Sequence, residues 1–515
     1  MDRPRFTYHI PQTQMIQSRS TTENEFVALM SKIRESERAL DAMYRKAAVL
    51  EGLLRLDSDG THPGISILPI EVLGMIFKEV VGQSDACMEY QPSFEPNKPE
   101  WPVVRPELLV SHVSKYWRAV AIGTPPLWTY IRLYVRQSVD LADLYFSRSR
   151  GLPLVIAFRQ HLVCGIHPRR AYAADYPRIT ATILDHMHIC RRLDIRTNVP
   201  LPELLDGLDR SCAPLLKEIV LHHPRSNVQE HVFSSSSFPA LTQLELGPLI
   251  LIAPTMPIKT LTSLTLTGLP AFGIPAVIFL KLLSGLQSLS RLTLLDEVVD
   301  FERSHTTVVV VMPSLRFLML KPGPDISRIY LTGLVETVIT PALEELVLDF
   351  TNITSPREIH LFLRYLKREA PRFLSLRHTT INSPFEGFDI ADALVHTAPN
   401  IEGLSLSRYN VDSVLRYLVH DARREAFPKL RTLQFGSPQF DWDVVLSFLR
   451  KRRQLDRPLH CLRFKGFGGS QGEVLDGLFE AFRSVSSCMS EYLIRDFPLA
   501  FLFLISYLIY ICTMV

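Results

Sequence analysis

The chain has no Cys-x-x-Cys. Its seven cysteines, Cys87, Cys164, Cys190, Cys212, Cys461, Cys488 and Cys512, are scattered and odd in number. That excludes a zinc ribbon or a disulfide framework and fits free thiols in a reducing compartment. An excess of one charge is missing too. A net charge of +3 over 515 residues gives no reason to invoke nucleic acid. The opening residues hold no apolar run, so no secretory signal is read, and Asn352-Ile353-Thr354 carries no weight as a glycosylation site.

Signatures of bond chemistry are equally scarce. There is no His-Glu-x-x-His and no Gly-Lys-Ser/Thr. The run Gly466-Phe467-Gly468-Gly469-Ser470-Gln471-Gly472 follows a strand-like stretch and precedes a helix-like one, the context of a phosphate cradle. The dinucleotide fingerprint would need glycine at Gln471, so it reads as a turn. The pairs His186/His188 and His222/His223 read as surface or loop histidines. The chain reads as a non-enzyme that needs no cofactor and no metal. The basic runs Arg423-Arg424 and Lys451-Arg452-Arg453 each close a helical pattern, where positive charge is favoured. A solvated helix end is expected there, a nuclear-import signal being the alternative.

What the chain has is apolar residue in a repeating pattern. Hydrophobic residues make up 47% of it, enough for a large core. A unit Leu-x-x-Leu-x-Leu, often led by proline, recurs from Leu193 onward. Its middle positions are 193, 219, 244, 264, 292, 318, 346, 374, 404, 433 and 462, most of them close to the roughly 20–29 residue period of leucine-rich repeats. Between them lie helical patterns over Ala276–Leu286, Pro356–Arg368, Ile390–Thr397, Val411–Ala422 and Trp442–Lys451. Leu-x-Leu places both leucines on one side of a short strand. A strand–helix unit cannot bury its own apolar side, so stacking predicts an α/β solenoid over 193–490. A globular α/β domain with a parallel sheet is the alternative. The asparagine that usually follows the middle leucine by five residues is replaced by Leu249, Leu269, Glu297 or Thr351, among others, which predicts an irregular array. Leu133-x-Val135, a helix over Ser138–Ser149 and Leu154-x-Ile156 predict an atypical first repeat, or cap, over 132–192.

Three further segments stand out. Residues 1–24 are polar and predicted disordered. Over 25–56 Ile33, Leu40, Ala47 and Leu54 fall seven apart, which predicts a long helix. It is either a coiled-coil dimerisation helix or an amphipathic helix folding back on the segment after residue 65. Asp57 to Gly64 is the hinge between the two. Phe497 to Val515 carries no charged side chain and is at the edge of bilayer-spanning length. It reads as a membrane anchor, a last apolar cap, or a gene-model end.

Between hinge and repeats lie two linked helical signatures. The first is Leu68-Pro69-x-Glu71-Val72-Leu73-x-x-Ile76-Phe77. The second is Val110-Ser111-x-Val113-x-x-x-Trp117-Arg118-x-Val120-Ala121, closed by Pro126-Leu127-Trp128. In this order they resemble the F-box, in the version common in mushroom-forming fungi, over 65–131. A proline-rich insert at 82–107, predicted to be a loop, separates the halves. The resemblance implies an all-α module that binds the Skp-type adaptor, and through it a cullin, of an E3 ubiquitin ligase. The matching adaptor-facing residues are Leu68, Pro69, Val72, Leu73, Ile76, Phe77, Val113 and Trp117, expected as an exposed apolar patch. Irregular leucine-rich repeats are usual in such proteins, and the repeats would hold a substrate protein for ubiquitin-dependent degradation in cytoplasm or nucleus. Candidate substrate contacts are Glu245, Thr265, Met319, Glu345, Val347, Ser405 and Gln434, which lie between or beside the paired leucines and point away from the core by alternation. They are mixed in charge and name no partner. The rival expectation is a non-proteolytic repeat scaffold, membrane-tethered if the tail inserts.

Overall fold

The computed structural model describes residues between 68 and 464. Excepted are 90–104, 135–138, 160–174, 198–201, 223–229, 232–236, 248–250, 253–257, 269–272, 303–307, 325–326, 328, 354–355, 369–372, 384–387, 408–410, 421–426, 437–440, 456 and 458. The N-terminal segment with its expected helix over 25–56, most of the proline-rich insert, Arg423-Arg424, the glycine run at 466–472, the end of the repeat region and the apolar stretch 497–515 lie outside the described residues. The chain divides into a helical unit that ends at Thr124 and a sheet unit that begins at Pro125.

In the helical unit, α1 spans Ile70–Glu89, α2 Pro106–Val113 and α3 Lys115–Ile122. Pro106 sits in the first turn of α2, where its missing N–H costs nothing. Leu73, Phe77 and Val81, four residues apart on α1, are buried with Val120 and Ala121 of α3. Phe77 and Trp117 meet at 5.0 Å between ring centroids. The Tyr116 hydroxyl donates to the Leu68 carbonyl at 2.8 Å and ties α3 to the start of α1. Two boundaries differ from expectation. The insert is not all loop, since α1 continues through Glu89 and α2 starts at Pro106. The second signature is two helices, because Ser114 adopts an extended conformation and its Oγ accepts from the Trp117 N–H at 3.1 Å. A serine N-cap satisfies one of the orphan donors of the new helix.

The sheet unit opens on a 3-10 turn, Pro125–Trp128. Trp128 is fully buried, edge-on to Tyr145 at 5.2 Å and capped by the Arg148 guanidinium at 4.3 Å. The Pro-Leu-Trp close of the F-box-like pattern thus belongs to this unit. Thirteen parallel strands then pair strictly in chain order. They are β1 Tyr130–Tyr134, β2 Leu154–Arg159, β3 Cys190–Arg196, β4 Glu218–His222, β5 Gln243–Leu246, β6 Ser263–Thr267, β7 Arg291–Leu295, β8 Phe317–Lys321, β9 Glu345–Asp349, β10 His378–Asn382, β11 Gly403–Ser407, β12 Thr432–Phe435 and β13 Cys461–Phe464. Helices connect many of them: α4 Val139–Ser149, α5 Asp175–Asp185, α6 Pro202–Arg210, α7 Ala276–Gly285, α8 Tyr330–Thr337, α9 Pro356–Arg368, α10 Phe388–Thr397, α11 Val411–His420 and α12 Trp442–Gln454. The architecture is therefore α/β, with one large parallel sheet that includes strands of the 132–192 region, expected as an atypical first repeat or cap.

The leucine pattern sets the register. From β3 to β13, Leu193, Ile219, Leu244, Leu264, Leu292, Leu318, Leu346, Thr379, Leu404, Leu433 and Leu462 stand in one column. A second column two residues on runs from Ile195 through Leu294 to Phe435, and it is buried. The leucine that leads each unit is also buried. At Leu216, Leu241, Leu261, Leu289, Leu315, Leu343, Leu376 and Leu430 its N–H donates to the carbonyl three residues back, at 3.0–3.3 Å. Hydroxyls just ahead of three strands add cross-strand hydrogen bonds. Thr242 Oγ1 donates to the Lys217 carbonyl, Thr262 Oγ1 to that of Thr242 and Ser290 Oγ to that of Thr262, at 3.0–3.1 Å.

Two expectations need correction. Leu374-x-Leu376 is not a strand. Leu374 is exposed, Leu376 is the leading leucine of its unit, and the strand is His378–Asn382. The spacing is thus 33 and then 25 residues rather than 28 and 30. Threonine at the leucine position hid the strand from a search for leucine pairs. Nor is Lys451-Arg452-Arg453 simply a solvated helix end. Arg452 is buried, and its guanidinium donates to the carbonyls of Phe427, Leu430 and Arg457 at 2.8–3.0 Å. Lys451 Nζ donates to the Val419 carbonyl. The helix end clamps loops of neighbouring units.

Thr379 Oγ1 is buried and finds no hydrogen-bond partner, a defect that costs roughly 1–3 kcal/mol. Thr379→Val keeps the shape and removes the hydroxyl. It should raise stability by about 1 kcal/mol, read as a higher urea midpoint with an unchanged slope. A lower midpoint would show that the hydroxyl is satisfied.

Candidate functional site

The helical unit carries an apolar surface as well as an apolar core. Val72, Ile76 and Val80 follow one another at four-residue steps on α1 and are 40%, 44% and 48% exposed. That row is offset by one residue, or about 100°, from the buried row Leu73–Phe77–Val81. Ile70 and Met75 are exposed on the same helix, and Leu109 and Val113 repeat the four-residue step on α2. An exposed apolar row at helical steps is a candidate partner surface.

The eight candidates in this unit therefore divide. Pro69, Val72, Ile76 and Val113 are exposed and Leu68 is half-buried. Leu73 and Phe77 are each 1% exposed and form the core, and Trp117 buttresses Phe77. The expectation that all eight form a patch is corrected on this point. Helical periodicity says which residues share a face, but two apolar faces lie side by side here and only packing shows which one turns inward. Ile70 and Val80 share the helical spacing of α1 but, like Met75 and Leu109, are not specified by the motif and so were not among the candidates. Their apolar character at helical spacing was the available signal.

On the sheet unit the second surface is the face opposite the leucines. Glu245, Thr265, Met319, Val347, Ser405 and Gln434 all fall in one row across β5–β12. Glu345 lies one row over, beside Phe317 and His378. All seven are half-buried. Two members of the row were missed. Thr293 faces both Thr265 and Met319, and Thr380 stands between Val347 and Ser405. Thr380 went unseen because the β10 strand was misplaced. Toward β3 and β4 the row continues as Asp194 and Val220, which are buried. Gln434 Nε2 donates to Ser405 Oγ at 2.9 Å.

Charge is unevenly spread along this face. At β3–β5 it forms one network. Arg196 Nε donates to Asp194 at 2.9 Å and lies 3.9 Å from Glu245, which accepts from His222 Nε2 at 2.6 Å. Arg192 pairs with Glu218 at 3.3 Å. Burial pushes the Glu245 pKa up, but the hydrogen bond from His222 and the charges of His222 and Arg196 outweigh it, so the carboxyl titrates below its ordinary 4.5. From β6 to β12 the central row has no charged side chain.

No group of three metal-ligating side chains that could hold an ion occurs among the described residues. Cys190, a free thiol at the start of β3, is buried, and burial pushes its pKa up to about 12 against hydrogen bonds with the Arg192 and Ile156 backbone. Such a thiol is not a nucleophile at neutral pH. A cavity of about 20 Å³ beside Ile381, Leu394, Leu404, Leu406 and Val414, with Ser383 and Ser407, is lined mostly by apolar side chains and has room for about one water. No helix among the described residues is long and apolar enough to cross a membrane. The two faces suit contact with other macromolecules. No family model matches the chain, and no curated protein matches it.

The Glu245 network gives a pH prediction. A carboxyl whose folded pKa is depressed contributes its full stabilisation above its unfolded value, and loses it as pH falls through the folded one. Below about pH 4.5 the unfolding midpoint of the parent should fall more steeply than that of Glu245→Gln. Parallel acid profiles for the two proteins would rule the network out as a source of stability.

Proposed function

We propose that this chain is the substrate-recognition subunit of a Skp–cullin–F-box E3 ubiquitin ligase. Its helical unit binds the Skp-type adaptor, and its sheet unit, a leucine-rich-repeat solenoid of irregular period, holds the protein to be ubiquitinated. The observation that carries the reading is the exposed row Val72–Ile76–Val80, set directly after the Leu68-Pro69 start that resembles the F-box. Apolar side chains at helical steps are what a helix-groove partner reads. Fully burying each would contribute roughly 1.5–3 kcal/mol relative to exposure. The strict chain-order pairing of parallel strands is the pairing expected of stacked strand–helix units. In this role the chain performs no bond chemistry. It raises the effective concentration of a substrate near a ubiquitin-charged enzyme.

The adaptor face, on this reading, is Pro69, Val72, Ile76 and Val113, with Ile70, Met75, Val80 and Leu109 added. Leu73, Phe77 and Trp117 support it from beneath. Co-expression of the chain with a Skp-type adaptor tests this. The parent should form a stoichiometric complex, and Val72→Asp with Ile76→Asp should abolish it while thermal unfolding stays unchanged. Leu73→Ala should instead destabilise the unit by roughly 2–5 kcal/mol. A parent that folds and does not bind the adaptor would leave a repeat scaffold outside ubiquitin ligases as the better account.

A further inference from the structure

We propose that the outer face of β7–β9 takes a short, unphosphorylated protein segment in which an apolar side chain lies beside a basic one. The proposal rests on the reading that this face receives the substrate, and it names the chemistry of what is received. Met319 and Val347 are register partners on adjacent strands, roughly 4.8 Å apart in the pairing direction. Both are half-buried and turned away from the leucines. Thr293 and Thr380 continue their row on either side. An apolar centre with hydroxyl-bearing neighbours is the composition of an interface core and its rim.

The charges on these strands select the rest. Two cations are present, and they stand apart. Lys321 pairs with Asp349 at 3.5 Å, and the Arg291 guanidinium lies 3.8 Å over the Phe317 ring. Recognition of a phosphate takes a cluster of arginines, and Arg291 is the one arginine on β7–β9. One anion is left over. Glu345 precedes Val347 by two residues and so shares its side of the sheet, and it makes no ion pair among the described residues. Its register partner His378 lies instead against Gly403, where a Cβ would come within 2.5 Å of His378 Nδ1. An unpaired carboxylate beside an apolar pair is complementary to a lysine or arginine beside an apolar anchor, and repels a phosphate.

The test is selection of a phage-displayed random peptide library on the full chain, on Val347→Asp and on Glu345→Lys. Enriched peptides are then synthesised with and without phosphoserine, and their binding is read by fluorescence anisotropy. Peptides from the parent should carry an apolar residue next to lysine or arginine, weaken at least about tenfold on Val347→Asp, and lose affinity when phosphorylated. Glu345→Lys should enrich acidic peptides instead, a reversal that misfolding cannot produce. No enrichment on the parent, equal binding to all three proteins, or a gain on phosphorylation would overturn the proposal. Adaptor co-purification of the same three proteins separates this outcome from the ligase reading. Peptide binding without the adaptor would leave the surface standing and remove the ligase. Adaptor binding with no peptide preference would do the reverse.

Discussion

Everything in the sheet unit depends on parallel backbone hydrogen bonding held in register by the residues that stand behind it. Parallel strands cannot be joined by tight turns, so each needs a crossover that returns the chain to the same end. The crossovers here differ in length and in kind, some helical and some with short two-residue parallel pairs such as Val310–Val311 with Val338–Ile339. Backbone pairing alone would tolerate slippage. A one-residue slip, however, would throw a whole set of leucines onto the opposite face. The buried columns therefore fix which residues meet across every strand junction, and the leading leucines with their three-residue turns fix where each strand begins.

The outward face obeys the same constraint. Because one column is apolar and inward, the residues between are forced out, and a row of side chains is laid across the strands without any requirement on its chemistry. The chain uses that freedom in two ways. At β3–β5 it places charges that largely satisfy one another, and Asp194 there is buried. Further along it places hydroxyls, an amide, a methionine and a valine. The helical unit solves a different problem with the same means. One four-residue row closes its small core, and the adjacent row is left exposed.

Periodicity was enough to read most of the strands, the helix Pro356–Arg368, two more helices that start at Ala276 and Trp442 with ends one and three residues from those observed, and six of the seven outward residues that share a row. It failed where a residue type broke the pattern without breaking the structure. Thr379 occupies a leucine position, and its neighbour Leu374 mimicked one. It failed also where two apolar faces adjoin, since Leu73 and Val72 are equally apolar and only packing tells core from surface. Ser114 falls at an unspecified position of the second signature, yet its hydroxyl caps the next helix. Arg452 looked like solvated charge. Two of the carbonyls it binds belong to a loop more than twenty residues away in sequence, and no local pattern reports them.

The long and short spacings around β10 bear on how such a chain can change. A unit of 33 residues is followed by one of 25, yet Val347, Thr380 and Ser405 stand side by side without interruption. Insertions and deletions are taken up in the crossovers, while each strand still contributes one central outward residue at a fixed place. Length and lettering are thus separable. Such a chain can gain or lose residues behind its sheet and leave the message on the front unaltered, or change a single letter there without disturbing the line on which it is written.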